Sequence, residues 1–357
     1  MRHKASCALV GLAIAAAVPA GAQQITGAGA TFPAPVYQQW GEAAARAIGV
    51  DLNYQAIGSG GGINQVISGT VDFGATDAPL AAGRLAKLGL VQFPTLVGGI
   101  VLTINVPGVG DRELKLTGAL LAEIFQERLG RWNDRRIAEL NPAITLPNIP
   151  VAPVYRADAS GTTFQFTDYL SRMSEDWKAL AGSATSVRWP AGVGARGNDG
   201  VAAMVRNARG GIGYVEYAYA RLNRLATVQL RNRDGQFVAA SEATIGAAAA
   251  GVDWAADPSF AVSLNDRPGA EAWPIAASTF ILVPTHARDP RRTEAVLRFF
   301  DWALREGDAI ARDLVFVPLP EATKDAVRAA WSERLGFAAS HRSPGPAPAG
   351  VPGAGAN

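Results

Sequence analysis

A chain of 357 residues is longer than one ordinary hydrophobic core supports, so two lobes are expected. Its 48% hydrophobic and 18% charged content is that of a globular chain, neither disordered nor collagen-like. The 33 basic and 31 acidic residues leave a formal net charge of +2, which gives no electrostatic footprint for nucleic acid or an anionic membrane surface.

Residues 1–22 read as a signal peptide. Arg2, His3 and Lys4 form a short basic start, Ala5 to Val18 is a small-residue apolar run, and Ala20-Gly21-Ala22 fits a small-x-small cleavage pattern, so the exported chain is expected to begin at Gln23. The apolar run is short and alanine-rich for a helix crossing ~30 Å of hydrocarbon, and Cys7 stands too early to be a lipid-attachment cysteine. Loss of the leader removes Arg2 and Lys4, which balances the basic and acidic groups, and removes the single cysteine. Of the three histidines, His3 and His341 lie in terminal segments not expected to fold, which leaves His286. A structural zinc site, a disulfide framework and most histidine-dependent catalysis are therefore not expected, and neither is a metal or a cofactor.

Beyond the leader, helical patterning runs over Ala34–Ala47 and a strand-like apolar run over Gly98–Asn105. A helical pattern over Leu120–Phe125, a strand over Val151–Tyr155 and helices over Phe164–Arg172 and Gly200–Asn207 come next. Strands over Gly211–Val215 and Ser278–Val283, then helices over Arg292–Arg305 and Ala322–Leu335, complete the pattern. The alternation predicts an α/β architecture with mostly parallel sheets, and ligands in such folds sit beyond the carboxyl ends of strands. The residues from Ala338 to Asn357 are a Pro/Gly/Ala tract with nothing large to bury, expected to be disordered.

Three segments combine glycine, a hydroxyl and a following helix: Gly27-Ala28-Gly29-Ala30-Thr31-Phe32-Pro33, Gly58-Ser59-Gly60-Gly61-Gly62, and Arg156-Ala157-Asp158-Ala159-Ser160-Gly161-Thr162-Thr163. Each leaves first-turn N–H groups pointing outward, which suits an anion. Any one alone is more simply a cap and a turn. Three together, with an arginine beside one, favour a buried oxyanion. The Gly-Ala-Gly start lacks the third glycine of a dinucleotide fingerprint, and no G-x-x-x-x-G-K-[ST] occurs. Ser59 and Ser160 lack a nucleophile-elbow frame, although a phosphatase using one of them remains the competing class. The Gly197-Asn198-Asp199-Gly200 turn reads as a structural loop and cap, and Trp40, Trp132, Trp189, Trp254, Trp273 and Trp302 as packing.

The stretches TGAGATFPAPVYQQW (26–40), NYQAIGSGGG (53–62), VDFGATDAPL (71–80), QFPTLVGGIVLTINVPG (92–108), YRADASGTTFQFTDYL (155–170), GNDGVAAMV (197–205) and GGIGYVEYAYA (210–220) resemble the periplasmic phosphate-binding proteins, the receptors of high-affinity phosphate ABC transporters. AWPIAASTFILV (272–283) and VLRFFDWA (296–303) extend the resemblance over nearly all of the chain between leader and tail.

The resemblance implies a two-lobed periplasmic-binding-protein fold (type II-like) with the ligand in the interlobe cleft. Residues 23–98 and 276–337 would form a discontinuous lobe 1, and 99–275 lobe 2. It implies a non-enzymatic, periplasmic, monomeric receptor that delivers inorganic phosphate to permease subunits. Thr31 and Phe32 would donate backbone N–H groups, with the Thr31 hydroxyl added. Ser59 would give hydroxyl and amide, Arg156 a charge-assisted fork, and Ser160, Gly161 and Thr162 amides and hydroxyls. Asp77 would be the single acceptor, and Asp158 would hold Arg156 in place. Ala159 and Gly60 depart from the family's usual glycine and serine beside the ligands. Arsenate, sulfate and molybdate are the alternative ligands.

Overall fold

The chain begins with two strand–helix–strand moves. In this computed structural model, which describes residues 23–338, β1 (Gln23–Gly29) turns through Thr31 into α1 (Ala34–Ile48), and β2 (Val50–Ala56) returns parallel to β1. The α1 helix opens with Pro at its start, buries Val36, Tyr37, Trp40 and Ala44 on one face, and stops at Gly49 in the left-handed region. Helix α2 (Ser59–Ser68) then leads to β3 (Phe73–Thr76), parallel to β1 on its other edge. Helix α3 (Ala82–Leu88) precedes β4 (Leu90–Asn105), sixteen residues long and buried at every position but the last. The signal-peptide reading, Cys7 and the tail from residue 339 lie outside the described residues.

The middle of the chain builds a second α/β section. After β5 (Lys115–Leu116), α4 (Gly118–Phe125) and α5 (Arg135–Ala138) come β6 (Ala152–Arg156), α6 (Gly161–Met173) and α7 (Glu175–Leu180). Next are β7 (Val193–Ala195), α8 (Gly197–Asn207), β8 (Gly211–Glu216) and α9 (Tyr217–Leu222). The short β9 (Ala226–Thr227), β10 (Gln229–Arg231) and β11 (Phe237–Val238) and α10 (Glu242–Ala249) follow. The chain then returns to the first section through β12 (Ala276–Pro284), α11 (Pro290–Glu306), α12 (Asp308–Asp313), β13 (Val317–Pro318) and α13 (Glu321–Leu335).

The main sheet runs in the order β2-β1-β3-β12-β4-β8-β6-β7. Its wings are parallel, but β12 is antiparallel to β3 and β4, and β4 is antiparallel to β8. The predicted mostly parallel sheet therefore has an antiparallel centre. The reason is connectivity: β4 carries the chain out of the first section and β12 carries it back, so neither belongs to a crossover unit that would impose parallel pairing. The pairing of β4 changes partner at Gly98–Gly99–Ile100, from β12 up to Gly99 to β8 from Ile100. A Cβ on Gly98 would stand 2.7 Å from the Phe32 ring, and one on Gly99 2.6 Å from Ile245. Side chains from both sections thus close over a strand that has none at that point.

Burial of large aromatic side chains anchors both sections. Tyr37, Phe73 and Phe93 each pack against Phe300 of α11, and Phe93 meets Trp331 of α13. Phe125, Phe166, Trp189 and Tyr214 form the corresponding cluster of the second section. The tryptophans read as packing are so used: Trp40, Trp132, Trp254 and Trp273 are buried, Trp189 stacks on Tyr155, and Trp302 packs half-buried against the core. No helix among the described residues is long and apolar enough to cross a membrane.

Candidate functional site

Six strands end at one place, and the residues that follow them supply its side chains. Thr31 follows β1, Ser59 follows β2, Asp77 follows β3, Arg156 ends β6, Asn198 follows β7 and Glu216 ends β8. Ser59, Gly161 and Asn198 stand in the first turns of α2, α6 and α8. First-turn N–H groups and the positive end of the helix dipole therefore converge there. Thr31, Ser59, Asp77, Arg156, Ser160, Thr162 and Asn198 are each no more than 3% exposed. Of the residues singled out from sequence, Thr31, Ser59, Asp77, Arg156, Asp158, Gly161 and Thr162 are joined by direct contacts or through Asn198, and Ser160 stands beside them as the cap of α6. Phe32 has its ring turned away against Phe316 and Gly98, so any part it takes is through its backbone.

The hydrogen bonds sort the hydroxyls into one orientation. Ser59 Oγ accepts from the N–H of Asp77 at 3.3 Å and of Gly161 at 3.0 Å. Thr31 Oγ1 accepts from Asn198 N at 3.3 Å and Nδ2 at 2.8 Å. Thr162 Oγ1 accepts from an Arg156 guanidinium nitrogen at 3.3 Å and from Asn198 Nδ2 at 3.5 Å. Ser160 Oγ accepts from Thr163 N at 3.1 Å and so caps α6. A hydroxyl has two lone pairs and one proton. With the lone pairs of Thr31, Ser59 and Thr162 filled by N–H donors, each can act only through its O–H, which in Ser59 lies toward the Asp77 carboxyl. The Gly161 N–H itself is taken by Ser59, and a Cβ at Gly161 would meet Ser59 Oγ at 2.6 Å and Asp77 N at 2.7 Å. Only glycine permits that approach.

Charge in the site is nearly cancelled. Arg156 forks onto Asp158 with Nε–Oδ1 at 2.7 Å and a second nitrogen to Oδ2 at 2.5 Å. Burial pushes the Asp158 carboxyl up, but the Arg156 hydrogen bonds and charge, with the Gly197 N–H, outweigh it and hold Asp158 below its ordinary range. Asp77 goes the other way. Burial pushes it up to about 7, against the pull of hydrogen bonds from Thr279 and Ser59 and of the Arg156 charge. Thr279 donates its hydroxyl to Asp77 Oδ1, and it sits at a register shift in β12 that aims its side chain at the site. Glu216 is raised well above its ordinary value by burial, against a hydrogen bond from Ala218 N–H. Counted from sequence, one arginine against two aspartates is net negative. In the fold, Arg156 and Asp158 offset each other and burial raises the Asp77 carboxyl far above its ordinary range.

The two sections touch directly across this place. Gly60 N donates to Ala159 O at 2.9 Å, Gln165 Nε2 to Asp77 O at 2.6 Å, and Tyr219 Oη to Thr31 O at 2.6 Å. Sequence reading missed Asn198, Thr279, Gln165 and Tyr219. The turn 197–200 was read as a loop and cap, yet Asn198 is inside the first turn of α8 with its side chain bridging Thr31 and Thr162. An asparagine between glycines was the only available signal, and it reads equally as a turn. Among the described residues, no group of three His, Cys, Asp or Glu side chains is placed to hold a metal ion.

Comparison with known proteins agrees on one family. The family model described as a PBP superfamily domain matches residues 15–306. The phosphate-binding protein PstS of Pasteurella multocida is 46% identical over 314 residues, covering 88% of this chain and 91% of that protein. That of Haemophilus influenzae is 45% identical over 314 residues, covering 88% and 94%. Among solved structures, the high affinity periplasmic phosphate-binding protein PfluDING, bound with phosphate, superposes with a TM-score of 0.68 at 22% identity, covering 86% of this chain and 93% of that one, a likeness of fold.

Proposed function

The chain belongs to the PBP superfamily and, within it, to the family of phosphate-binding proteins PstS, and from that premise we propose that it is a periplasmic, monomeric receptor that binds inorganic phosphate and delivers it to the permease subunits of a phosphate ABC transporter. The observation that carries the reading is the uniform polarity of the hydroxyls, which face the site as donors beside one arginine and one carboxylate. Such a set suits a ligand made of acceptor oxygens with a single proton to give. Thr31, Ser59, Ser160 and Thr162 contribute hydroxyls, Phe32 and the free N–H groups in the first turns of α2 and α6 contribute amides, Gly161 using its own N–H to orient Ser59 Oγ, and Arg156, held by Asp158, supplies the fork. Asp77 takes the ligand's proton on the carboxylate oxygen that Thr279 does not occupy. Lobe 1 comprises residues 23–98 and 276–337 and lobe 2 residues 99–275, with the phosphate enclosed where they meet.

Selectivity follows from Asp77. Hydrogen phosphate carries a proton near neutral pH, whereas sulfate carries none and would set oxygen against oxygen. A lost buried hydrogen bond costs about 1–3 kcal/mol, more between charges. Calorimetric titration of anion-stripped protein tests the reading. Phosphate and arsenate should bind one per chain, sulfate should not, and Asp77→Asn should admit sulfate. Equal exclusion of sulfate by parent and variant removes Asp77 from this role, and a parent that ignores phosphate overturns the function.

A further inference from the structure

We propose that Asn198 is a positioning residue that sets the hydrogen-bond polarity of the site by fixing the Thr31 and Thr162 hydroxyls as donors toward the ligand. The inference rests on the phosphate-binding reading and extends it to a residue outside the contact set. The Asn198 side chain is fully buried. Its Oδ1 accepts from the backbone N–H of Glu216 at 3.0 Å, and a peptide N–H can only donate. That bond decides which end of the amide is oxygen, so the NH₂ end must face the two threonines. Nδ2 then reaches Thr31 Oγ1 at 2.8 Å and Thr162 Oγ1 at 3.5 Å, one hydroxyl from each section of the molecule. The backbone N–H of Asn198 occupies the second lone pair of Thr31, and Arg156 the second lone pair of Thr162. With both lone pairs filled, neither hydroxyl can turn to accept. A ligand offering acceptor oxygens gains two hydrogen bonds, and one offering a proton at these positions meets two donors. A ligand proton that neither threonine can accept is then left to Asp77, which makes proton-based selection a joint property of Asp77 and Asn198.

The test is a coupling measurement by phosphate titration at constant pH and salt. Asn198→Asp keeps the oxygen that receives the Glu216 N–H but replaces the NH₂ donor with an acceptor, so both hydroxyls are drawn toward it. It is compared in the parent and in a Thr31→Val, Thr162→Val background, where no hydroxyl is left to redirect. Repulsion by the introduced charge is common to both backgrounds and cancels. The loss of affinity should be at least about tenfold larger in the parent, the scale of one to two buried hydrogen bonds. Equal losses overturn the inference and leave the phosphate reading standing; a parent that binds no phosphate overturns both. A measurement without substitutions checks the same point: neutron diffraction of the phosphate-bound parent should show the Thr31 and Thr162 hydroxyl deuterons on phosphate oxygens. Deuterons directed at the Asn198 side chain would refute it.

Discussion

Arg156 and Asp158 are most informative as a pair. The guanidinium is buried and forks onto Asp158, so its removal also leaves a largely desolvated carboxylate unpaired. Arg156→Ala should weaken phosphate binding by about 2–5 kcal/mol, the range for truncating one partner of a buried charge pair; titration that gives the parent affinity would exclude Arg156 from the contact set. Asp77 makes a prediction about pH. Its carboxyl is raised from 3.8 to about 7 by burial, so the folded chain keeps a proton that the unfolded chain has lost. The associated stability is complete below about 3.8 and lost as pH rises through about 7. Asparagine has no proton to lose. In phosphate-free protein, Asp77→Asn should therefore raise Tm more at pH 8 than at pH 5, where only part of that stability has been lost, and an equal shift at both values would contradict the buried carboxyl.

Helix starts carry the site at the next scale up. Sequence periodicity begins α4 at Leu120, α6 at Phe164, α8 at Gly200 and α11 at Arg292, whereas the helices begin at Gly118, Gly161, Gly197 and Pro290. The difference is one physical fact. First turns here are rich in glycine, proline and polar residues, so the apolar period starts only after them. Gly161 shows the functional side of this. Alanine there favours the helix by intrinsic propensity, by up to ~1 kcal/mol, but its Cβ would collide with Ser59 and Asp77. The clash lies between the two sections and is relieved when they part, so Gly161→Ala should leave the melting temperature of phosphate-free protein close to the parent's while weakening phosphate binding at least about tenfold. Parallel loss of both would make Gly161 a folding residue only.

At the scale of the whole molecule, the functional reading is a closure of two sections about β4 and β12. The direct bonds Gly60 N to Ala159 O and Gly161 N to Ser59 Oγ join residues on opposite sides of the proposed lobe division. Phosphate should therefore slow hydrogen exchange at the Gly60 and Gly161 amides and reduce the radius of gyration in solution scattering. Exchange at those two amides that is unchanged by saturating phosphate would count against closure around the ligand. The alternating strands and helices predicted from sequence are present, and the wings of the sheet are parallel as expected. Its antiparallel centre was not foreseen, because the direction of a strand depends on which section its chain is leaving.

Sequence by itself determined the α/β class, the three glycine-and-hydroxyl helix starts and the family, since those depend on local composition and on motifs contiguous in the chain. It also marked Thr31, Ser59, Asp77 and Arg156, which lie in those motifs or resemble the family there. Tertiary structure alone decided which way the hydroxyls face, that burial raises the Asp77 carboxyl, and that Asn198 and Thr279 belong to the site. The reason is the same for all three. A hydroxyl's orientation, a carboxyl's desolvation and a bridging amide depend on groups many residues away, such as the sequence separation of 202 from Asp77 to Thr279 or of 167 from Thr31 to Asn198, and no local pattern encodes a partner that only folding brings near.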